Sequence, residues 1–589
     1  MLSNDLVKDM VKELEALRVQ RSAQGWDKFW RDCMRFALPQ DVSYDQLLQG
    51  GSIGGVTAAI ERRTSNRTRD LYDQTSLWAI ERLTAGLLSL KTPESAHWHT
   101  LTVDDPFGHE ATIEEETALD RLSQYLFKVR ANPKSGFWPT HKAAVRSVCA
   151  MGDGFYFIEE LYGDARLPFR YEFVPLGECY VSVDMSGGIQ RFYRARRLSA
   201  DQIVKRWPDT ASAKHKQYAE DPARRHETFP IAHAVIPRPA EMRRAGIGVL
   251  AAPMIGAYID LEDERLLGET GYYEMPYVGH AWNRIAGRAY SEGPMALALA
   301  EVKSLNEMAK NELISSQQAV RPPLATMSEN MQRISLNAGA INPGMINGDG
   351  RLLVQPIMTH TRPDFAQQVL ENRRNNVREL LYLNLWQILI QSPDMTATEA
   401  LLRSQEKGDL LGPVGISFNH SLSQMVDREI AILSRKGAFD DGSPLAMPES
   451  MDDIEVAPHF TAPLDRMRNL DEVTGAQQTV AGMIEVAALK PEIMDRLDVD
   501  EYAELLRKGH GAPAKLFKDI EQVKGDRDQA AQMEQLQQTL AGLQMGGQAA
   551  QAIGGGAQAM GGAMGAMGGM GGGAPDMGPA PAAREAVAA

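Results

Sequence analysis

The sequence predicts an α+β protein that is mainly helical. Three observations lead there. Segments with a period of two are confined to the first half, between about 154 and 282. The second half carries long runs with a helical period. The two patterns are segregated rather than alternating, which excludes a regular βαβ chain.

The helical pattern opens the chain. Leu6, Met10, Leu14 and Leu17 recur at helical spacing, and Trp26, Phe29, Trp30 and Cys33 resume it after Gly25, so 3–38 reads as two helices. The Gly-rich stretch 40–60 reads as a loop. A third helix is expected from Asp73 to Leu90, with Leu77, Ile80, Leu83 and Leu87 on one face and Pro93 just beyond. Strands are expected at 154–161, 168–184 and 189–198, with the Ser-Gly-Gly of 186–188 as a turn. A short helix with a Ser start and a Pro stop follows at 199–208, then strands at 229–237 and 272–282.

Pro294–Ala319 reads as a long helix stopped by Pro322 and Pro323, and Asp364–Ile390 as a second. At 1.5 Å per residue each spans roughly 40 Å. With a small compact insert between them they make a hairpin-like projection. Pro393 ends the second helix. Thr396 and Glu399 form a capping box that opens a third. Residues 528–552, rich in Gln and Ala, read as a helical extension. The Gly/Met/Ala tail, 553–589, has too little to bury and is expected to be disordered.

Composition narrows the function. The 589 residues carry a net charge of −15, which argues against a protein that coats nucleic acid by neutralising phosphates. The three cysteines, Cys33, Cys149 and Cys179, are far apart and suggest neither a zinc site nor a disulfide framework. No run of about 18 apolar residues suggests a membrane span. The glycines at 50–55 and 561–573 are not followed by Lys-Ser or Lys-Thr, and no Gly-Lys dipeptide occurs, which excludes a standard P-loop. His97 and His99 are read as packing residues, because no third ligand lies near. Asp495, Asp498 and Asp500 lack the Gly and Glu of a calcium loop and read as a helix start. The clusters Arg62, Arg63, Arg67, Arg69 and Arg191, Arg194, Arg196, Arg197 are expected to form subunit–subunit ion pairs or a solvated face rather than phosphate contacts. No catalytic, cofactor-binding or metal-binding residue is expected.

Four segments carry a resemblance. They are LYDQTSLWAIERLTAGLLSLKTPESAHWHTL at 71–101, GRAYSEGPMALALAEVKSLNEMAKNELISSQQAVRPPL at 287–324, MTATEALLRSQEKGDLLGP at 395–413 and DRLDVDEYAELLRKGHGAPAKLF at 495–517. In this order they resemble the portal, or head-to-tail connector, family of short-tailed bacteriophages. The resemblance implies the portal fold: a wing at 1–290, a first stem helix at 291–319, a clip at 320–360 and a second stem helix at 361–390. A tunnel loop at 391–395 follows, then a wing helix and return segment at 396–469 and a helical crown region at 470–552.

The implied function is a non-enzymatic channel for packaging and ejecting double-stranded DNA. The implied partners are further copies in a dodecameric ring, DNA in the channel, the terminase large subunit, major capsid and scaffolding proteins, and tail adaptors, with no membrane and no cofactor. The implied location is the head–tail vertex of the virion, after assembly in the host bacterial cytoplasm. Gln391, Ser392, Asp394 and Met395 are the residues this places at the channel. Two alternatives compete. A scaffold or adaptor is usually much shorter, and a packaging-motor enzyme would need the absent P-loop.

Overall fold

Gly25 sits at φ +83°, a backbone that favours glycine, and breaks the N-terminal segment into α1 (Asn4–Ala23) and α2 (Trp26–Ala37). The structure, a computed structural model, describes residues 2–39, 70–104, 112–162, 166–185, 187–246, 248–284, 287–326, 334–335, 337, 339–357, 363–383, 397–451, 455–487 and 490–510, with scattered helical positions from 523 to 533. The chain divides into a large unit, Met1–Leu516, and a second unit, Phe517–Ala589. All that follows concerns the first.

Helix α3 (Thr75–Lys91) buries Ile80, Leu83 and Leu87 as expected, with Leu77 half-buried. After strand β1 (His99–Val103) come two helices the sequence reading lacks, α4 (Ile113–Ala131) and α5 (Phe137–Met151). Their signal is present. Thr112 and Glu115 form a reciprocal capping box, and Leu119, Leu122, Leu126 and Val129 follow at helical spacing.

Strands β2 (Asp153–Glu160), β3 (Phe169–Val174) and β4 (Cys179–Val183) show that 168–184 is two strands, split at Pro175 by a short turn. Strand β5 (Ile189–Ser199) pairs with β4 across the expected turn, where Gly188 N–H donates to Asp184 Oδ1 at 2.8 Å. A capping box of Ser199 and Gln202 opens α6 (Ala200–Arg206), and a second short helix, α7 (Ala213–Glu220), follows. Strands β6 (Thr228–Pro237), β7 (Met254–Asp260), β8 (Arg265–Tyr272) and β9 (Tyr277–Ala281) complete this region. The expected strand at 272–282 is thus the last residue of β8 and all of β9.

The strands form an antiparallel five-stranded sheet, β4-β5-β6-β7-β8, and a three-stranded sheet, β3-β2-β9. Residues Leu2, Val7, Met10 and Leu14 pack α1 onto the larger sheet. The sheets touch where Phe192 and Tyr277 stack with ring centroids 3.9 Å apart.

Helix α8 (Pro294–Val320) matches its expected span closely. A short ladder, β10 (Leu324–Thr326) with β11 (Val354–Pro356), closes the insert. Helix α9 (Pro363–Leu380) stops ten residues before the expected Ile390. There Leu383 N–H turns back to Arg378 O at 2.8 Å, and Tyr382 takes φ +58°. Left-handed geometry at a bulky residue ends a helix regardless of hydrophobic period, so the pattern alone overruns the boundary. Helix α10 (Ala397–Arg435), strand β12 (Val456–Phe460), α11 (Pro463–Ala487) and α12 (Val499–His510) complete the unit. Strand β12 pairs with β1, from His99↔Phe460 to Val103↔Val456, tying the end of the fold to its beginning.

Candidate channel arm and its anchorage

The base of the helical hairpin is packed. Val302, Leu305 and Ala309 of α8 and Leu370 and Val377 of α9 are buried, and Arg373 makes a two-point ion pair with Glu301 at 3.0 Å. The start of α8 is docked by close backbone approach. A Cβ on Gly293 would lie 2.8 Å from Val148 O, so only glycine fits before Pro294. Ser291 N–H donates to the buried carboxylate of Asp153 at 2.6 Å. Burial pushes that carboxyl up to about 6, against the pull of this bond.

Beyond the base the described part of the hairpin has no core. From Lys310 to Val369 no described residue is buried. Large apolar side chains stand open along it, with Val320 80% and Ile341 91% exposed and Leu313, Ile346, Leu352 and Ile357 also open. The described residues of the insert, which the sequence suggests is a small compact unit, bury no side chain. Its ladder has three residue pairs, too few to stand alone in water.

A polar knot holds the arm's base. Asn306 accepts the backbone N–H groups of Tyr72 and Asp73 and donates to Asp70 O. Asp73 in turn accepts Arg374 Nε at 2.9 Å and Thr75 N–H at 2.9 Å. Two of the family-like segments, 71–101 and 287–324, meet at this knot.

Helix α10 is clamped along its length. Asn419 Nδ2 donates to Asp465, which also holds the buried Lys91 at 2.6 Å. Ser421 and His280 Nδ1 lie 2.5 Å apart. Arg130 grips Glu429 at two points, 3.2 and 2.5 Å, and Tyr171 OH donates to the same carboxylate. Burial works to lower the Arg130 pKa, but the adjacent Glu429 more than offsets it and the guanidinium is held charged. Arg428 donates to Ile158 O and pairs with Glu274 at 3.2 Å; burial lowers its pKa to about 10.

Gln391, Ser392, Asp394 and Met395, the residues expected in a tunnel loop, and Thr396, expected to cap the next helix, lie outside the described residues. Glu399 falls in the first turn of α10, where only the backbone is described. The arm's bare surface and the clamps on α10 were not among the expected site residues. The seven residues from Pro322 to Ser328 begin Pro-Pro-Leu but carry no charge pattern that would flag exposure.

The histidines at 97 and 99 pack, as expected. His97 stacks on Phe127 with centroids 4.3 Å apart, and His99 is buried with Nε2 2.6 Å from Arg130. Asp498 opens α12 by accepting the N–H groups of Asp500 and Glu501. The second arginine cluster needs correcting. Arg191 pairs with Glu13, Arg194 with Glu172 and Glu178, and Arg196 with Glu172, all within one chain, while Arg197 bonds Thr228. The partners come from distant strands and from α1, so sequence spacing could not reveal them. The cluster Arg62, Arg63, Arg67 and Arg69 lies outside the described residues. Among the described residues no group of three or more His, Cys, Asp and Glu could hold a metal, and no helix is long and apolar enough to cross a membrane.

The chain is similar to the portal protein of Salmonella phage epsilon15, 23% identical over 558 residues, covering 92% of this chain and 94% of that protein. It is also similar to the probable portal protein of Bordetella phage BPP-1, 21% identical over 547 residues, covering 91% and 93%. Residues 8–517 match the family described as bacteriophage head to tail connecting protein, and with that match spanning most of its length the chain belongs to this family.

Proposed function

We propose that this chain is the subunit of a phage portal ring, the channel through which double-stranded DNA enters and leaves the head. The observation that carries the reading is the arm from Lys310 to Val369, among whose described residues none is buried and a row of large apolar side chains is exposed. Exposed apolar surface on this scale marks an interaction site. A ring of head-to-tail contacts would cover it in every copy at once, because cyclic contacts leave no subunit with an open face.

In this reading α8 and α9 are the stem, the insert between them is the clip, and residues 391–395 are the tunnel loop. Residues 1–290 are the wing, joined by the helix and return segment of 396–469, and the crown begins near 470. The clip is the docking surface for the terminase large subunit and later for tail adaptors. The wing meets the major capsid and scaffolding proteins during assembly in the host cytoplasm. The protein is structural and does no covalent chemistry. Each subunit contributes a net charge of −15, and a ring of them makes a negative surround that repels phosphates and keeps the duplex centred.

Particle images and native mass spectrometry of the purified protein test this. Closed rings are expected, twelve-fold, with a hole wide enough for duplex DNA, about 20 Å on the scale of the groove dimensions. Monomers or dimers alone at micromolar concentration would overturn it.

A further inference from the structure

Gly154 on β2 is register-paired with His280 on β9, and Tyr156 lies two residues along on the same sheet face. A Cβ on Gly154 would lie 2.1 Å from Ala144 O, so α5 rests directly on this face and brings His141, about one turn earlier, beside the other two. The His280 ring centroid is 5.3 Å from that of His141 and 5.2 Å from that of Tyr156. All three side chains are at most 1% exposed. Phe137 stacks on His141 and Phe418 on His280, with centroids 5.1 and 5.0 Å apart, so each imidazole lies against a phenyl ring and makes its hydrogen bonds at its edge.

Each imidazole edge is half used. His141 Nε2 lies 2.9 Å from Thr92 Oγ1, at the end of α3. His280 Nδ1 lies 2.5 Å from Ser421 Oγ of α10, and that hydroxyl donates to Phe418 O at 3.0 Å. Ser421 has one proton and gives it to the carbonyl, so it accepts from His280 Nδ1–H and leaves Nε2 as a bare acceptor. Among the described residues His280 Nε2, His141 Nδ1 and Tyr156 OH have no hydrogen-bond partner. Burial holds both imidazoles well below their ordinary range, so neither carries charge.

Buried polar atoms are stable only when hydrogen-bonded, and here three unpartnered ones sit on neighbouring rings. We propose that one internal water molecule bridges these three atoms and ties α5 to the β2–β9 pair beneath α10. Water has two protons and two lone pairs. It donates to His280 Nε2, exchanges a bond with Tyr156 OH, and serves His141 Nδ1 whichever tautomer Thr92 selects. A metal ion suits these donors poorly. No carboxylate or thiolate belongs to the set, and the charge acting on His141 is the guanidinium of Arg130, so a dication would stand uncompensated. An anion would face the lone pair of His280 Nε2.

The test uses the full-length protein. A crystal or particle-image map at about 2 Å or better should show one solvent peak within about 2.6–3.2 Å of all three atoms. A map without that peak, or with His141 Nδ1 and His280 Nε2 bonded directly, would overturn the proposal. So would a peak about 2.0–2.1 Å from the nitrogens, the distance of a bound metal. Thermal stability gives a second readout. If Tyr156 OH bonds water, Tyr156→Phe removes one of the water's partners and should lower Tm by about 1–3 °C. If the hydroxyl has no partner, the same change deletes a buried orphan, and Tm should rise or stay unchanged, which would sink the proposal. If the variant does not fold, the map of the unaltered protein decides.

Discussion

The side-chain oxygen of Asn306 accepts the backbone N–H of Tyr72 at 2.8 Å, across 234 residues of sequence. The same side chain reaches Asp73 N–H at 3.4 Å and donates to Asp70 O at 3.0 Å. One amide thereby stitches the chain entering α3 onto the middle of α8. Arg374 adds α9 to the same point through Asp73. The arm's base is set by polar contacts that only this geometry satisfies.

Asn306→Ala should cost about 2–4 kcal/mol, because it strands backbone groups at a largely buried place rather than deleting surface. Asn306→Asp keeps the acceptor and loses only the donor, so its cost should be smaller. Urea denaturation measures the loss, and hydrogen exchange at 70–75 should accelerate in the Ala variant. Unchanged exchange there would show that the amide does not hold the segment.

The Arg130–Glu429 pair should respond asymmetrically. Both side chains are at most 1% exposed, so removing one partner leaves a buried uncompensated charge. Glu429→Gln should cost about 3–5 kcal/mol. Arg130→Met with Glu429→Leu should cost less than the two single changes summed, since no charge is left behind. A double-mutant cycle by denaturation checks this, and simple additivity would refute the coupling.

Acid should destabilise the fold through its buried imidazoles. Burial lowers the pKa of His141 to about 3, helped by Arg130, and holds His99, His233 and His280 well below their ordinary value. The unfolded chain takes up these protons near pH 6.5 and the fold does not. Stability is therefore full above about pH 6.5 and falls as pH drops, by up to about 1.4 kcal/mol per pH unit for each imidazole. Asp153 and Asp427, pushed up to about 6 chiefly by burial, act the other way. Their raised values favour the fold as pH falls from 6 towards 3.8, and offset part of the loss. With four imidazoles against two carboxyls, Tm should decline between pH 6.5 and 4. A flat or rising Tm over that window would contradict neutral buried imidazoles.

Replacing 391–395 with a Gly-Ser stretch should leave rings intact and impair DNA packaging or retention. The segment is short and polar, with Gln391, Ser392 and Asp394 and no Lys or Arg, so it can brush phosphates but not grip them. Imaging checks the rings and genome content per particle checks the filling. Normal filling and retention would refute a DNA contact, and failure to form rings would make the segment a structural hinge.

Much of this fold was legible because its signals are local. The two N-terminal helices, α3, the hairpin at 186–188 and the Ser199 cap each rest on periodicity or turn chemistry within a few residues. The capping box of Thr112 and Glu115 was equally local and would have revealed α4. The end of α9 was not legible, because Tyr382 adopts its left-handed backbone in a run whose hydrophobic period continues unbroken.

The sequence by itself determined the α+β class, the long helix pair bracketing an insert, the absence of a P-loop and, through four ordered segments, the family. Tertiary structure alone decided which distant residues meet. Arg191 finds Glu13, Lys91 finds Asp465, Arg130 finds Glu429, and β1 finds β12. Periodicity reports which face of an element is apolar, but not which face it is packed against. Ion pairs between elements depend on that choice, so Arg191, Arg194 and Arg196, which looked free for neighbouring subunits, have carboxylate partners within the chain. The bareness of the arm has the same origin. Leu313 and Ile314 continue the apolar run of α8 in sequence, yet among the described residues they stay exposed.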